Sequence, residues 1–388
     1  MKPLPLLYDF RKQFPSYYGT QEECIAWLAA AHAKAEAIVT NDESKVSEMA
    51  PRFEKLIRRF GCSPKHIGWR GTELEDFSHR EWQQMQVFNI EEAPEGKGLD
   101  TRNQFFANTV NRAVERFYEN DEPPPADLIH VTCTGYASPS AIQRLVDGKA
   151  WHSQTRTTQI YHMGCYASIP ALRVTTGLML NQQNPEPARA DVVHTELCSL
   201  HFNPKNHSPE QLVVQSLFAD GFIRYSMAID EDVAKGRPTP AFEVLSVREE
   251  MVANSLEDMT WVVSEFGFRM TLSRDVPNKI ANSISGFLER LFAQGGENYA
   301  ESKPTAVFAI HPGGPKIIDT VQELIDVSNE QTTQSRAVLF ERGNMSSATL
   351  PHIWSKVLDD DNVKSGTLVA SIGFGPGLTM AGALFRKR

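Results

Sequence analysis

A short apolar run that ends in a glycine or proline turn and then gives way to helical periodicity recurs along this chain. This pattern restricts the fold more than any other feature. Such runs lie at residues 128–132, 158–162 and 306–310. Strands that alternate with helices in this way form α/β folds, in which helices cover a sheet. Because the units at 128–145 and 306–325 are similar, we expect two related halves.

The length of the chain agrees with two fused lobes. It has 388 residues, whereas one domain usually takes ~150 residues. The polar segment 234–240, rich in proline and glycine, is the best internal boundary. It divides the chain into an N-terminal half at 1–235 and a C-terminal half at 236–388. Apolar residues at helical spacing predict that the first 120 residues form flanking helices.

Composition excludes several classes of protein. With 41% hydrophobic and 22% charged residues, the chain is expected to be a globular enzyme rather than a disordered protein. A net charge of −9 argues against binding to nucleic acid. No apolar run reaches the ~18 residues of a membrane helix, and the first residues do not form a signal peptide, so we predict no membrane span and a cytoplasmic location. The five cysteines form no Cys-x-x-Cys pair, which argues against a disulfide framework or a zinc ribbon.

Cys165 lies where a predicted strand turns into a predicted helix. The unpaired N–H groups and the dipole of a helix N-terminus favour the thiolate, which is the reactive form of a cysteine. Gly164 would let a substrate approach the backbone, and Ser168 is a candidate N-cap because Pro170 must lie near the start of the helix. Taken alone, the pattern fits either a nucleophile or a small buried apolar residue.

Two further loops carry side chains that could act on a thiol or a carbonyl. His311 ends an apolar strand and precedes Pro-Gly-Gly-Pro, so its imidazole is expected at the carboxyl end of that strand, where open α/β sheets place their chemistry. Asn344 lies in a loop before a helix, and it could instead be a turn-forming residue. The order Cys, His, Asn also describes papain-like proteases, but Cys165 follows a strand in mid-chain and lacks the local motif of that class.

Four segments together resemble the signatures of type III polyketide synthases, the family of chalcone synthase within the thiolase-fold ketosynthases. Shorter matches at 217–221 and 274–277 add to the resemblance, which runs from about residue 45 to the end of the chain. The four segments occur in the order of the family: Met-Gly-Cys-Tyr-Ala-Ser at 163–168, Ile-His-Pro-Gly-Gly-Pro at 310–315, Gly-Asn-Met-Ser-Ser-Ala at 343–348 and Gly-Phe-Gly-Pro-Gly-Leu at 373–378.

The resemblance implies an α/β thiolase fold, five-layered αβαβα and built from two related halves, in a homodimer. It implies a triad in which Cys165 takes an acyl group as a thioester, while His311 and Asn344 stabilise the enolate formed from malonyl-CoA. Acyl-CoA and malonyl-CoA would be the substrates, and no metal or other cofactor would be needed.

The resemblance also assigns the walls of the substrate pocket. Phe218 matches one gatekeeper phenylalanine, whereas Met270 replaces the other, which favours flexible acyl starters over rigid aromatic ones. Trp261 matches a wall position that is glycine in chalcone synthase. It favours an alkylresorcinol over an alkylpyrone, although Trp261 could also be plain core. The remaining pocket positions are Cys133, Thr134, Ser138, Cys198, Ser346 and Gly375.

A basic segment at 52–70 provides candidate contacts for the phosphates of coenzyme A. Lys55 and Arg58 match the contacts of the family. The third basic position is Cys62 here, and Lys316 could supply the missing charge. The alternative interpretation of the segment is a solvated helix face.

No metal site is predicted, because His194, Cys198 and His201 have no fourth ligand nearby. The sequence therefore predicts a type III polyketide synthase that extends an acyl-CoA, expected to be a fatty acyl-CoA, and cyclises the product. One alternative is a single-condensation ketosynthase of the fatty-acid-initiation type, with acyl carrier protein as partner and starter donor. The other is a non-catalytic subunit of a ketosynthase assembly, which would have no need for Cys165, His311 and Asn344 together.

Overall fold

Strands form the centre of the molecule in the computed structural model, which describes residues 4–120, 122–181, 189–229 and 240–388. The predicted strands at 128–132, 158–162 and 306–310 are all present, as β4, β5 and β11. The strands are β1 (Pro5–Gln13), β2 (Tyr17–Thr20), β3 (Trp69–Thr72), β4 (Asp127–Thr132), β5 (Arg156–Tyr161), β6 (Ala190–Glu196), β7 (Gly221–Ile229), β8 (Phe242–Met251), β9 (Met259–Ser264), β10 (Gly267–Leu272), β11 (Val307–Ile310), β12 (Leu368–Gly375) and β13 (Thr379–Lys387).

One mixed sheet of nine strands has the order β11-β12-β13-β8-β1-β7-β6-β4-β5. Its two halves repeat one topology. In the first half β4 runs parallel to β6, which is antiparallel to β7, which is antiparallel to β1. In the second half β11, β12, β13 and β8 have the same relations. The halves meet where β1 pairs with β8, at Leu6 with Glu243 and Leu7 with Phe242.

Helices cover the sheet on both faces and fill the space between its halves. The helices are α1 (Gln21–Val39), α2 (Val46–Phe60), α3 (Leu99–Arg116), α4 (Ala141–Gly148), α5 (Ser168–Leu180), α6 (Pro209–Leu217), α7 (Val276–Gln294), α8 (Tyr299–Ser302), α9 (Pro315–Ile325), α10 (Thr333–Arg342) and α11 (Thr349–Leu358).

The contacts of these helices define the layers. Helix α5 packs on β4, β6 and β7 of the first half and on β8 and β13 of the second, and α11 packs on β1, β7 and β11. These two helices therefore form the middle layer. Helices α3 and α4 cover the outer face of the first half, while α7 covers the second and packs against α9. Because each half of the sheet is covered by helices on both faces, the buried side chains form separate clusters, one in the middle layer and one under each outer layer.

The N-terminal segment differs from the prediction of flanking helices alone. Helices α1, α2 and α3 are present, but Pro5–Gln13 forms β1, a strand at the middle of the sheet. Pro5 is compatible with a strand because a first residue need not donate a ladder hydrogen bond. Helix α1 is largely buried rather than exposed to solvent. A capping box between Thr20 and Glu23 fixes its start.

The predicted internal boundary lies almost entirely outside the described residues, since only residue 240 of the segment 234–240 is described. The division into halves at residue 235 stays a prediction. Among the helices of the described ranges, none combines the length and the apolar character that crossing a membrane requires.

Candidate active site

Cys165 lies in the short loop between β5 and α5, as predicted from the strand-turn-helix pattern. Positive φ angles at His162 (61°) and Gly164 (79°) make the loop tight enough to place the thiol at the start of the middle-layer helix. A side chain on Gly164 would collide with Pro376, because its Cβ would lie 2.7 Å from the proline Cδ. The expected cap by Ser168 is wrong: Ala167 occupies the N-cap position, and Ser168 is the first helical residue.

Burial controls the protonation of this thiol. Cys165 is 9% exposed, and burial raises its pKa to about 12, because a thiolate is poorly solvated in an apolar environment. The neighbouring side chains of Ser346 and Asn344 act in the opposite direction and lower this pKa, and the Ser346 Oγ lies 3.8 Å from the sulfur. The thiol is therefore neutral at neutral pH.

His311 and Asn344 present buried groups that have no hydrogen-bond partner among the described residues. His311 directly follows β11, and its backbone N–H donates to Ile372 O at 2.8 Å. Both nitrogens of its ring lack a partner, and burial lowers its pKa to about 3. The Asn344 Oδ1 accepts from Ser346 N at 2.8 Å, which leaves Nδ2 unpaired. Since an unpaired buried polar group costs about 1 to 3 kcal/mol, such groups indicate a place for a ligand acceptor.

Two cavities meet at Cys165. The inner cavity is lined by Cys133, Thr134, Cys198, Trp261 and Ser346, among others. The outer cavity is lined by Phe60, Ser208, Arg274, Gly313 and Ile317, among others, and Arg274 is exposed at its rim. Four residues line both cavities: Cys165, Phe218, Met259 and Met270.

Phe218 and Met270, the predicted gatekeepers, both line the inner and the outer cavity. Leu217 and Ala219 on either side of Phe218 bond to the backbone of Asn344, at 3.0 and 2.8 Å, so the position of Phe218 is coupled to that of the amide. Met270 lies directly opposite Trp261 in the β9-β10 hairpin. Trp261 lines the inner cavity, and its indole N–H donates to Cys133 O at 2.7 Å.

A buried carboxylate that could not be identified from the sequence accepts hydrogen bonds from residues that line the inner cavity. Glu196, the last residue of β6, accepts hydrogen bonds from Thr134 Oγ1 at 2.8 Å, from Cys133 N at 3.0 Å and from the Ser347 hydroxyl. Burial raises its pKa. The Cys133 sulfur in turn lies 2.8 Å from Ser346 Oγ, and Ser346 has a left-handed φ of 49°, a strained conformation typical of functional sites.

His201 also lines the inner cavity, whereas the sequence analysis named it only as a rejected metal ligand. Its Nδ1 accepts from Phe268 N at 3.0 Å and its Nε2 donates to Thr134 O at 3.0 Å, so the ring is neutral and both nitrogens are used. Cys198 and His201 lie in a 3-10 turn that follows β6, whereas His194 lies within β6. Within the described ranges, no group of three or more His, Cys, Asp or Glu side chains could hold a metal ion.

Two predicted pocket residues line neither cavity. Ser138 is exposed, in a loop before α4. Gly375 packs against a ring instead: a Cβ there would lie 2.0 Å from Tyr166 Cδ1, next to Cys165 in sequence. Only a glycine lets β12 approach Tyr166 so closely, which explains the motif by packing rather than by substrate contact.

The predicted contacts for coenzyme A lie at the surface, on helices that contribute other residues to the outer cavity. Lys55 is exposed on α2, whose last residue Phe60 lines that cavity, and Lys316 is exposed beside Ile317, which also lines it. Arg58 is paired with two carboxylates, those of Glu22 at 2.6 Å and Glu54 at 2.7 Å. A phosphate would have to displace these partners. Cys62, at the third basic position, is buried and offers no charge.

A duplicated sheet whose middle-layer helix starts at a buried thiol, between two cavities, is the architecture of a thiolase-fold condensing enzyme. Residues 113–229 match the N-terminal domain of chalcone and stilbene synthases, and residues 243–387 match the C-terminal domain. The chain therefore belongs to the chalcone and stilbene synthase family, the type III polyketide synthases.

Individual relatives agree with this assignment. "Probable polyketide synthase 1" of Dictyostelium discoideum is 28% identical over 360 residues, which are 90% of this chain and 11% of that protein. The chain thus spans about a tenth of the length of that curated relative (11%).

Two solved structures share the fold. The C-terminal type III polyketide synthase domain of Steely1, a type I/III hybrid from Dictyostelium, superimposes with a TM-score of 0.79 at 19% identity and covers 99% of both chains. PKS-I from the brown alga Ectocarpus siliculosus gives a TM-score of 0.82 at 22% identity and covers 100% of this chain and 99% of its own. The predicted thiolase fold with two related halves is confirmed.

Proposed function

We propose that the protein loads a fatty acyl group from acyl-CoA on Cys165, extends it repeatedly with malonyl-CoA, and cyclises the product to an alkylresorcinol or alkylpyrone. The observation that carries this proposal is the convergence of two cavities on one buried thiol. Asn344 and His311 add buried groups that have no hydrogen-bond partner among the described residues. One cavity can admit the thioester while the other holds the growing chain. No metal or redox cofactor takes part in the proposed steps.

Loading uses His311 as a base. The thiol proton of Cys165 moves to the imidazole, the sulfur attacks the acyl-CoA carbonyl, and the bond between the carbonyl and the coenzyme A sulfur breaks. The imidazolium returns the proton to coenzyme A, which leaves as a thiol. The product is a neutral acyl-Cys165 beside a neutral His311, the protonation state that burial favours.

Extension uses the unpaired donors. Malonyl-CoA loses carbon dioxide, and the electron pair of the broken bond moves into an enolate whose oxygen accepts hydrogen bonds from His311 Nε2 and Asn344 Nδ2. The enolate carbon then attacks the acyl-Cys165 carbonyl, and the Cys165 sulfur leaves. The chain, longer by two carbons, returns to Cys165 from coenzyme A for the next cycle.

The character of the inner cavity favours a flexible aliphatic starter. Met270 places a flexible thioether at a position where the resemblance expects a gatekeeper phenylalanine. Two further wall positions are the weakly polar Cys133 and Cys198. Such a wall offers little to the hydroxyl of an aromatic starter, and it fits an alkyl chain. The starter donor in this proposal is coenzyme A, with acyl carrier protein as the alternative donor, and the enzyme acts as a homodimer in the cytoplasm.

The starter can be identified by mass spectrometry of products from the purified protein, given malonyl-CoA and acyl-CoAs from acetyl to stearoyl. We expect cyclised triketides or tetraketides with a preference for long starters. Failure to consume malonyl-CoA, while an acyl group still loads on Cys165, would instead favour the single-condensation ketosynthase. Absence of both loading and consumption would contradict an enzymatic role.

Ring closure is expected to depend on Trp261, whose indole narrows the inner cavity and favours aldol closure. In the variant Trp261→Gly, we expect the ratio of alkylpyrone to alkylresorcinol to rise by about tenfold, because one side-chain contact in a cavity is worth about 1 to 3 kcal/mol. The ratio is measured by chromatography of the products.

The matched control for this prediction is Val262→Gly. Val262 is the next residue of β9, is 52% exposed and does not line the inner cavity. Its replacement by glycine weakens the strand as the replacement of Trp261 does, but leaves the cavity lining unchanged. An equal shift in both variants would show that the hairpin, rather than the indole, controls ring closure.

A further inference from the structure

A third cavity lies apart from the reaction centre and shares no lining residue with the two cavities at Cys165. It has a volume of about 410 Å³ and is formed by the end of β1, by α10 and α11, and by the turn that follows α11. We call it the hairpin cleft. All of its lining side chains except Phe14 and Val338 are polar or charged, so the cleft suits a polar ligand.

The helices α10 and α11 run antiparallel along the hairpin cleft. Gln334 and Arg342 line it from one face of α10, because they are eight residues apart on the helix. Lys356 of α11 pairs with Glu341 near the end of α10, at 2.7 Å. Beyond the end of α11, Asp360 accepts from Gln334 Nε2 at 2.7 Å, near the start of α10. A ligand in the cleft therefore contacts both helices.

The loop that joins these two helices carries Asn344. At the end of α10, the backbone N–H of Gly343 donates to Leu339 O at 2.9 Å. At the start of α11, the hydroxyl of Thr349 donates to Asn344 Oδ1 at 3.3 Å. The walls of the hairpin cleft thus continue directly into the segment that positions the unpaired amide of the reaction centre.

Arg342 is a cation of the hairpin cleft that no carboxylate neutralises within the described residues. Its guanidinium donates to the Tyr18 hydroxyl at 2.8 Å and lies 4.1 Å from the centroid of the Phe14 ring. The other two cations, Lys12 and Lys356, each lie within 3.4 Å of a carboxylate oxygen. A guanidinium has more N–H donors than this one bond uses, and their planar edges match a carboxylate or a phosphate.

Two side chains of the hairpin cleft that are each only 5% exposed offer hydrogen-bond acceptors. The Oε1 of Gln334 has no partner among the described residues. The Nε2 of His352 donates to Phe222 O at 3.3 Å, so the proton of the neutral ring is on Nε2. Burial, together with the charges of Lys12 and Arg342, lowers the pKa of His352 to about 3. The ring is therefore neutral, and its Nδ1 is an acceptor.

We propose that the hairpin cleft binds a small organic anion that carries hydroxyl groups, the chemistry shared by sugar phosphates and hydroxycarboxylates, and that its occupation raises kcat. The anionic group pairs with Arg342, and hydroxyl groups donate to His352 Nδ1 and Gln334 Oε1. A ligand held by both helices restricts the loop between them and so fixes Asn344. The binding goes beyond the proposed function, whereas the effect on kcat rests on it.

Calorimetric titration of the purified protein tests the binding, with coenzyme A at saturation so that phosphates do not enter the outer cavity. The two probes are citrate and glucose 6-phosphate, which distinguish the two sources of the anion. Their matched controls are tricarballylate, which is citrate without the hydroxyl, and glucose, which lacks the phosphate. We expect one site per chain for at least one probe, and binding of its control that is about tenfold weaker or more.

Absence of binding by both anions would overturn the proposal. Binding of tricarballylate as tight as that of citrate would overturn the hydroxyl contacts.

Two variants locate the bound probe. In Arg342→Gln we expect Kd to rise by about tenfold, the loss of one charge-assisted hydrogen bond, and in Gln334→Met by about threefold or more. The control is Arg336→Gln, because Arg336 lies on the same helix, is paired with Asp319 and does not line the hairpin cleft. An unchanged Kd in Arg342→Gln, or an equal rise in Arg336→Gln, would place the probe elsewhere and overturn the site.

Turnover tests the effect on the reaction centre. With the bound probe at saturation, we expect kcat for consumption of malonyl-CoA to rise about twofold, and this rise to be lost in Arg342→Gln. Binding with an unchanged or lower kcat would overturn the effect on Asn344. Absence of any turnover would overturn the proposed function and the effect on kcat together, while the calorimetric result would still decide the binding.

Discussion

Replacement of Cys165 by alanine is expected to reduce product formation from malonyl-CoA and a long acyl-CoA by about 1000-fold or more, because no other group can carry the acyl intermediate. Alanine fits the site without strain, since Cys165 is a small buried residue at the start of α5. Product formation and the mass of the acylated protein are measured together. The variant should form no thioester at this position.

Cys62→Ala is the matched control for this prediction. Cys62 is 1% exposed and burial raises its pKa to about 12, as for Cys165, but it lines neither of the two cavities. A variant of Cys62 should therefore keep its activity. Turnover by Cys165→Ala close to that of the unmodified protein would show that the thiol is not the nucleophile.

The position of the thiol could be predicted from sequence because strong local signals surround it. The apolar run before Gly164 predicts a strand, Pro170 restricts the start of the helix, and together they place Cys165 in the intervening turn. The same logic placed His311 at the end of β11, before the helix that begins at Pro315. In both cases the residues of the tight turn, and not the reactive residue itself, predict where the reactive side chain lies.

The N-terminal segment could not be predicted in this way. The strand β1 begins with a proline and has charged residues within it, so its alternation is weak. Its burial depends on β7 and β8, which follow more than 200 residues later. The contribution of α1 to the inner cavity could not be predicted for the same reason. Cys24 and Leu28 have the pattern of an ordinary apolar helix face, and only the tertiary structure places them in the cavity lining with residues of β2, β3 and α6.

Glu196 and His201 show a second limit of sequence analysis. Each follows or ends a strand in the manner of many polar residues, and only the tertiary structure shows that Glu196 accepts from Thr134 and Cys133, or that His201 packs on Phe268 at 4.4 Å. The cost of burying such groups is met by partners from distant segments. Ser138 is the opposite case, since the resemblance assigned it to the pocket and the structure leaves it exposed.

The electrostatics of the site raise a question about how the thiol becomes reactive. Burial raises the pKa of Cys165 to about 12 and lowers that of His311 to about 3, so each charge alone is strongly disfavoured. Transfer of the proton from sulfur to imidazole creates both charges together, and their attraction offsets part of the desolvation cost. In the proposed loading step, His311 is the buried proton acceptor for this transfer.

His311→Ala is accordingly expected to slow alkylation of Cys165 by iodoacetamide at pH 7 by about 100-fold, and to reduce polyketide formation by about 1000-fold because an enolate donor is also lost. In this variant the proton must leave to solvent. Since the thiolate forms only as the pH approaches a pKa of about 12, the alkylation rate should rise about tenfold per pH unit above neutrality. The unmodified protein should show a weaker pH dependence, and the two rates should converge at high pH.

His162→Asn is the control, because His162 lies three residues before Cys165, has a pKa that burial also lowers, and has a left-handed φ of 61° that asparagine tolerates. Its ring contacts the Trp261 carbonyl at 2.8 Å rather than the thiol. Its alkylation profile should match that of the unmodified protein. Equal rates in His311→Ala and the unmodified protein across pH 6 to 10 would mean that the thiol loses its proton without His311, and would restrict His311 to the enolate step.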